Sequence, residues 1–174
     1  MIKSLIYKSI EVNKSLRRGR AEILFPSSPM TKGLPTLRRG VYQDCSPMLS
    51  ERYSIFGRWE HATHGHWLSV TDMEKLWEDR IDDEFLTRIK ISRVACEENW
   101  ANDAAALFKP ERLSLFSCDD NGNERIYILW LDSEDEPELW VYDSNGESRY
   151  KNLEKYLEAY LDDDLSAHEK SWRA

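Results

Sequence analysis

The sequence predicts an α+β fold: an antiparallel sheet with helices packed on one face, in a single domain spanning residues 1–174. Three observations carry that expectation. Apolar residues follow a helical period between residues 71 and 109 and a strand period from Leu113 onward. Two Asn-Gly pairs, Asn121-Gly122 and Asn145-Gly146, stand where β-forming runs end, as tight turns require. The 174 residues, 41% of them hydrophobic, suffice for one well-buried core and are few for two.

Residues 1–25 alternate loosely and close on AEILF, a strand candidate. In 26–50, Pro26, Pro29, Gly33, Pro35, Gly40 and Pro47 interrupt every helical period, so an irregular segment is expected. Tyr53, Phe56, Trp59, Trp67 and Val70, with Gly57 and Gly65, suggest one or two short strands around a turn at His64-Gly65. Thr71 and Glu74 have capping-box spacing, which places a helix start at Thr71. Met73, Leu76, Trp77, Ile81 and Phe85 then form its apolar stripe. Asp82-Asp83-Glu84 marks a break and the start of a second helix through Leu86 and Ile89. EENWANDAAALF is expected to be helical up to Lys109, which Pro110 forces out of the helical region.

From Leu113 the period is two, with Leu113, Leu115 and Ser117 on one face. IYILWL is almost continuously apolar, as a central strand covered on both faces would be. SEDEPE reads as an acidic loop, ELWVYD as the next strand, and Asn145-Gly146 as the turn into a helix. Leu153, Tyr156, Leu157, Tyr160 and Leu161 supply that helix's stripe. Residues 162–174 open with three aspartates and are expected to form a frayed acidic tail.

The net charge of −8 is unevenly divided. Residues 1–60 carry 11 Lys/Arg against 5 Asp/Glu, a net of +6; residues 61–174 carry 13 against 27, a net of −14. The back two-thirds would repel a phosphate backbone and attract a basic protein, so no nucleic-acid partner is expected, the front-third arginines Arg17, Arg18, Arg20, Arg38 and Arg39 being the one weak alternative. No run approaches the roughly 18 apolar residues of a membrane span, and MIKSLIYKSIEV lacks the features of a signal peptide, although Arg17, Arg18 and Arg20 with Glu11 as the one early acid leave a transit peptide as a minor alternative. Cys45, Cys96 and Cys118 are odd in number and far apart, which fits a reducing, cytoplasmic setting.

Candidate chemistry is sparse. His61, His64 and His66 could hold zinc or nickel only if an irregular loop brought them together; otherwise they are packing or solvated side chains. Together with Arg58, Glu60 and Asp72 they frame the alternative of a metal-dependent enzyme or metal-binding protein. Asp119-Asp120-Asn121-Gly122 fails the calcium-loop spacing, because Ser117 stands where the first Asp belongs. Asp132 and Asp143 close adjacent expected strands and could form a carboxylate pair, or face solvent. Nucleophile-elbow, phosphate-loop and dinucleotide motifs are absent, so no catalytic residue and no cofactor are expected.

A binding surface is the main candidate. Glu134, Asp135, Glu136 and Glu138 flank strands bearing Trp130 and Trp140. The acids would steer a basic partner and one Trp would anchor it, unless the tryptophans are simply core. LSLFSC, DDNGNE, RIYILWLD, EPELWVYD and NLEKYLEAYL together resemble the C-terminal half of the SUKH superfamily, over about Phe108–Leu161. That superfamily includes yeast cell-wall-synthesis regulators and many bacterial toxin-immunity proteins. The front of the chain departs from the pattern: Leu34-Pro35 leads into basic TLRRG, and no Gly-Gly turn follows. The resemblance implies a non-catalytic α+β binding domain that occludes a cognate toxin, here a basic, nuclease-like one; a regulatory scaffold without a toxin partner is the other possibility.

Overall fold

The computed structural model describes residues 2–16, 23–97, 109–132, 134–144 and 146–163. The chain opens with α1 (Ile2–Leu16), not with loose alternation. Ile2, Ile6 and Ile10 recur every four residues and are buried, so the apolar period there is helical. Strand β1 (Ile23–Leu24) lies within AEILF, as expected, but is two residues long. A small hairpin follows, β2 (Leu34–Pro35) against β3 (Tyr42–Gln43), inside the segment read as irregular.

Helix α2 (Pro47–Ile55) corrects the reading that prolines exclude every helix up to residue 50. Pro47 occupies the first turn, where its missing N–H is not needed, and the Ser46 hydroxyl accepts from the Leu49 N–H (3.5 Å). At the other end Arg52, fully buried, donates to the carbonyls of Phe56 (2.6 Å), Gly57 (2.8 Å) and Leu68 (3.3 Å). Strands β4 (Trp59–Glu60) and β5 (His66–Trp67) flank the expected turn. Gly65 in that turn has φ +75°, and a Cβ there would lie 2.5 Å from both the Asp119 nitrogen and the Cys118 carbonyl carbon. Only glycine lets the turn close onto the end of the neighbouring strand.

Helix α3 (Val70–Lys75) begins one residue before the expected start, and its capping box is Ser69/Asp72, not Thr71/Glu74. The Asp72 N–H donates to Ser69 Oγ (3.1 Å) and the Ser69 N–H to Asp72 Oδ2 (2.9 Å). Glu74 instead accepts from the Tyr42 hydroxyl (2.8 Å). The helix stops at Lys75, so Ile81 and Phe85 do not extend its stripe. Helix α4 (Glu84–Glu97) starts at the expected break, with Asp83 accepting from the Leu86 N–H (3.1 Å). The helix expected in EENWANDAAALF falls, beyond Glu97, outside the described residues, as does the tail after Asp163.

A short turn of 3-10 helix (Pro110–Arg112) leads into β6 (Leu113–Cys118). Then come β7 (Arg125–Leu129), β8 (Glu138–Asp143), β9 (Gly146–Tyr150) and α5 (Leu153–Asp162). Two expectations change here. A bulge between Leu115 and Ser117 puts Ser117 opposite Ile126, on the other face from Leu113 and Leu115. Asn145 lies outside the described residues, and Gly146 opens strand β9, which precedes the helix; GESRY is too polar to announce itself but pairs Tyr150 with Leu139 and Ser148 with Val141.

The seven strands run in the order β1-β4-β5-β6-β7-β8-β9, every neighbouring pair antiparallel. The architecture is thus α+β with one sheet-centred core. Ile126, Tyr127, Ile128 and Leu129 of β7 are all buried, as a central strand demands. Trp59 and Trp67 pack edge to face at 4.9 Å, and Tyr156 of α5 meets Tyr150 of β9 at 5.4 Å. Helices α1, α2 and α5 pack on one another, with α5 against β8 and β9, while Phe85 of α4 meets His66. Each such buried side chain contributes about 1.5–3 kcal/mol. Among the described residues no helix is long and apolar enough to cross a membrane.

Candidate functional site

The sheet holds three chain segments, distant in sequence, at one of its ends. They are the β7–β8 loop, the connection from β3 to α2, and the 3-10 turn before β6. Between them lies a groove of about 480 Å³, within the usual range for ligand sites. Trp130, Asp132, Glu134 and Asp135 line it from the loop, Asp44 and Cys45 from the connection, and Glu111 and Arg112 from the turn. Five carboxylates stand against one guanidinium, a net of −4.

Each segment is fastened. The Trp130 backbone N–H donates to the Arg112 carbonyl (2.9 Å) and its indole N–H to Ser114 Oγ (3.1 Å). Arg112 Nη2 donates to Asp132 Oδ2 (2.7 Å), and Gln43 Nε2 to the Glu111 carbonyl (2.9 Å). Across the groove's end, the Met48 N–H donates to Glu136 Oε1 (2.9 Å). This last bond gives a first-turn donor of α2 a charged acceptor.

Of the six residues the sequence nominated for partner binding, Trp130, Glu134 and Asp135 line the groove. Glu134 and Asp135 are exposed and Trp130 is half-buried, so these three can meet a partner. Glu136 does something else: it pins the loop to α2. Glu138 and Trp140 lie in β8, not on the rim. Glu138 accepts from Arg149 Nε (3.0 Å), and Trp140 is 6% exposed beneath the Arg149 guanidinium, 5.5 Å from its ring centre. A buried indole cannot anchor a partner, so Trp130 is the remaining candidate. Asp44, Glu111 and Arg112 were invisible to sequence reasoning, because only the fold brings them to Trp130.

The three histidines do not converge. The His61 N–H donates to His66 Nδ1 (3.0 Å), and the two rings lie 4.8 Å apart. His64 turns instead to the Tyr156 hydroxyl (2.8 Å) and lies 3.6 Å from Asp143, while His66 Nε2 lies 3.6 Å from Asp120. Among the described residues no group of three or more His, Cys, Asp or Glu side chains could hold a metal ion. Arg58, Glu60 and Asp72 close on one another: Arg58 grips Asp72 through two bonds (3.0 and 2.6 Å) and reaches Glu60 and Asp83 at 3.3 Å. Hydrogen bonding to Asp72 raises the Arg58 pKa, so the guanidinium stays charged. Burial would raise the Asp83 pKa, but the Leu86 N–H and Arg58 hold it below the usual carboxylate value.

Asp132 and Asp143 do not form a pair. Antiparallel pairing sets Leu129 opposite Glu138, so the end of β7 adjoins the start of β8 and Asp143 lies at the far end. In the groove itself, burial raises the Cys45 thiol pKa despite the opposing hydrogen bond with Ser50, so Cys45 is protonated at neutral pH and a weak nucleophile. The groove is therefore suited to binding cations by charge and an aromatic surface. No protein-family model, curated protein or solved structure matches this chain.

Proposed function

We propose that this chain is a non-catalytic protein-binding domain of the immunity type, which neutralises a basic, nuclease-like toxin domain in the cytoplasm by covering it with the acidic groove. The observation that carries the reading is the net charge of −4 concentrated around half-buried Trp130 in a fastened groove. Acidic residues on a rim raise encounter rates with a basic partner, and an aromatic side chain among them supplies contact area. The SUKH-like order of elements over Phe108–Leu161 supports the same reading.

The test screens the products of the neighbouring genes for a basic domain that binds this chain, and compares the chain with its double variant Glu134→Lys/Asp135→Lys; finding no such domain would itself count against the reading. Both positions are exposed, so folding is expected to survive. Association measured by stopped flow at low ionic strength should slow by about tenfold or more, and its salt dependence should flatten. Unchanged association rates would refute the assignment.

A further inference from the structure

We infer that the groove is an arginine receptor: it takes an arginine side chain of the protein partner, stacked on Trp130 and held between carboxylates of the loop and of the β3–α2 connection. This rests on the proposed protein-binding function and specifies the chemistry of its contact. The groove's 480 Å³ suits one or two long side chains.

Arginine fits better than lysine for three reasons. Trp130 is tethered by its indole N–H to Ser114, and its backbone N–H is bonded to Arg112, so the ring is held in place before a partner arrives. A planar guanidinium stacks on such a ring more favourably than an ammonium. The carboxylates of Asp44, Glu111, Asp132, Glu134 and Asp135 come from three segments, and a forked donor can engage two of them at once. Finally, the groove already shows the pairing in miniature. Arg112 donates to Asp132 at 2.7 Å, with the Asp132 side chain 84% exposed. So exposed a pair is weak and readily exchanged for an incoming guanidinium.

The experiment uses two probes, the acetylated and amidated peptides Gly-Arg-Gly-Arg-Gly and Gly-Lys-Gly-Lys-Gly. They are titrated into the whole protein at low ionic strength and followed in ¹H–¹⁵N spectra by the Trp130 indole resonance and, in every variant including Trp130→Leu, by the backbone amides of the groove residues Asp44, Glu111 and Glu134. The arginine peptide should move that resonance and bind about two- to fivefold tighter than the lysine peptide. Trp130→Leu should remove the preference, and Glu134→Lys/Asp135→Lys, which leaves the tryptophan's tethers intact, should weaken both peptides. Equal affinity for the two peptides, or no binding of either at millimolar concentration, overturns the inference. If the peptides behave equally while charge reversal still slows the protein partner, the arginine chemistry fails and the protein-binding function stands.

Discussion

Replacing Glu136 with Ala should destabilise the protein by about 1–2 kcal/mol, and the structure accounts for that range. At the start of α2, Pro47 has no N–H to satisfy, and the Leu49 N–H is taken by Ser46 Oγ. The Met48 N–H has the Glu136 carboxylate at 2.9 Å, a contact between residues 88 apart in sequence. Hydrogen bonds to charged groups are worth about 1.5–3 kcal/mol, and loss of a helix cap typically costs about 1 kcal/mol. Glu136 is half-buried, so solvent partly substitutes for the lost acceptor and the lower part of that range applies. For a chain of this size the loss corresponds to a fall in Tm of about 2–8 °C. Glu136→Gln keeps an oxygen acceptor without the charge and should lose about half as much. Urea unfolding measures the stability, and hydrogen exchange at the Met48 amide reports the bond directly, since exchange there should accelerate in the Ala variant. A loss below about 0.3 kcal/mol with unchanged Met48 exchange would refute the assignment of Glu136 as the latch of the groove.

Arg58→Met should cost about 3–5 kcal/mol in urea unfolding, because Asp72, 4% exposed, would be left as a buried charge without its partner; a cost under 1 kcal/mol would show that water reaches Asp72. Because the Asp83 pKa is lowered in the folded state, its contribution to stability is present above the unfolded carboxylate pKa and is lost as pH falls through the folded value. Unfolding midpoints measured from pH 6 to 3 should therefore decline, and less steeply in Asp83→Asn. Gly65→Ala should destabilise by more than about 2 kcal/mol, since it combines a positive φ with contact against the end of β6; thermal unfolding would detect it. Burial raises both the Cys45 and the Cys118 thiol pKa values, so at pH 8 both should alkylate more slowly than an unfolded-chain cysteine, with Cys118 unreactive until denaturant is added, as mapped by mass spectrometry.

The parts of the fold legible in the sequence are those where local chemistry and tertiary context agree. RIYIL, ELWVYD and the Leu153–Leu161 stripe fold as their periods dictate, because their apolar faces are continuous and find cover in the sheet and α5. Gly122, with φ +72°, makes the turn its Asn-Gly pair announced. The failures share a cause. In α1 the buried Ile2, Ile6 and Ile10 are separated by lysines and serines that blur the period. Pro47 carries both a breaker and a helix-start signal, and only the cap at Ser46 decides between them. GESRY becomes a strand because β8 offers it an edge, not through its own propensity.

The same division holds for the site. Composition and the loop SEDEPE by themselves determined that an acidic, aromatic-bearing surface would follow β7, because charge and residue type are properties of the chain. Which of those acids stay exposed was settled by the tertiary structure alone. It turned Glu138 to Arg149, Glu136 to the start of α2 and Trp140 into the core, and it brought Asp44 and Glu111 to Trp130. The reason is physical: a carboxylate's role depends on the nearest donor, and in a sheet whose strands are ordered β1-β4-β5-β6-β7-β8-β9 the nearest donor is often tens of residues away in sequence.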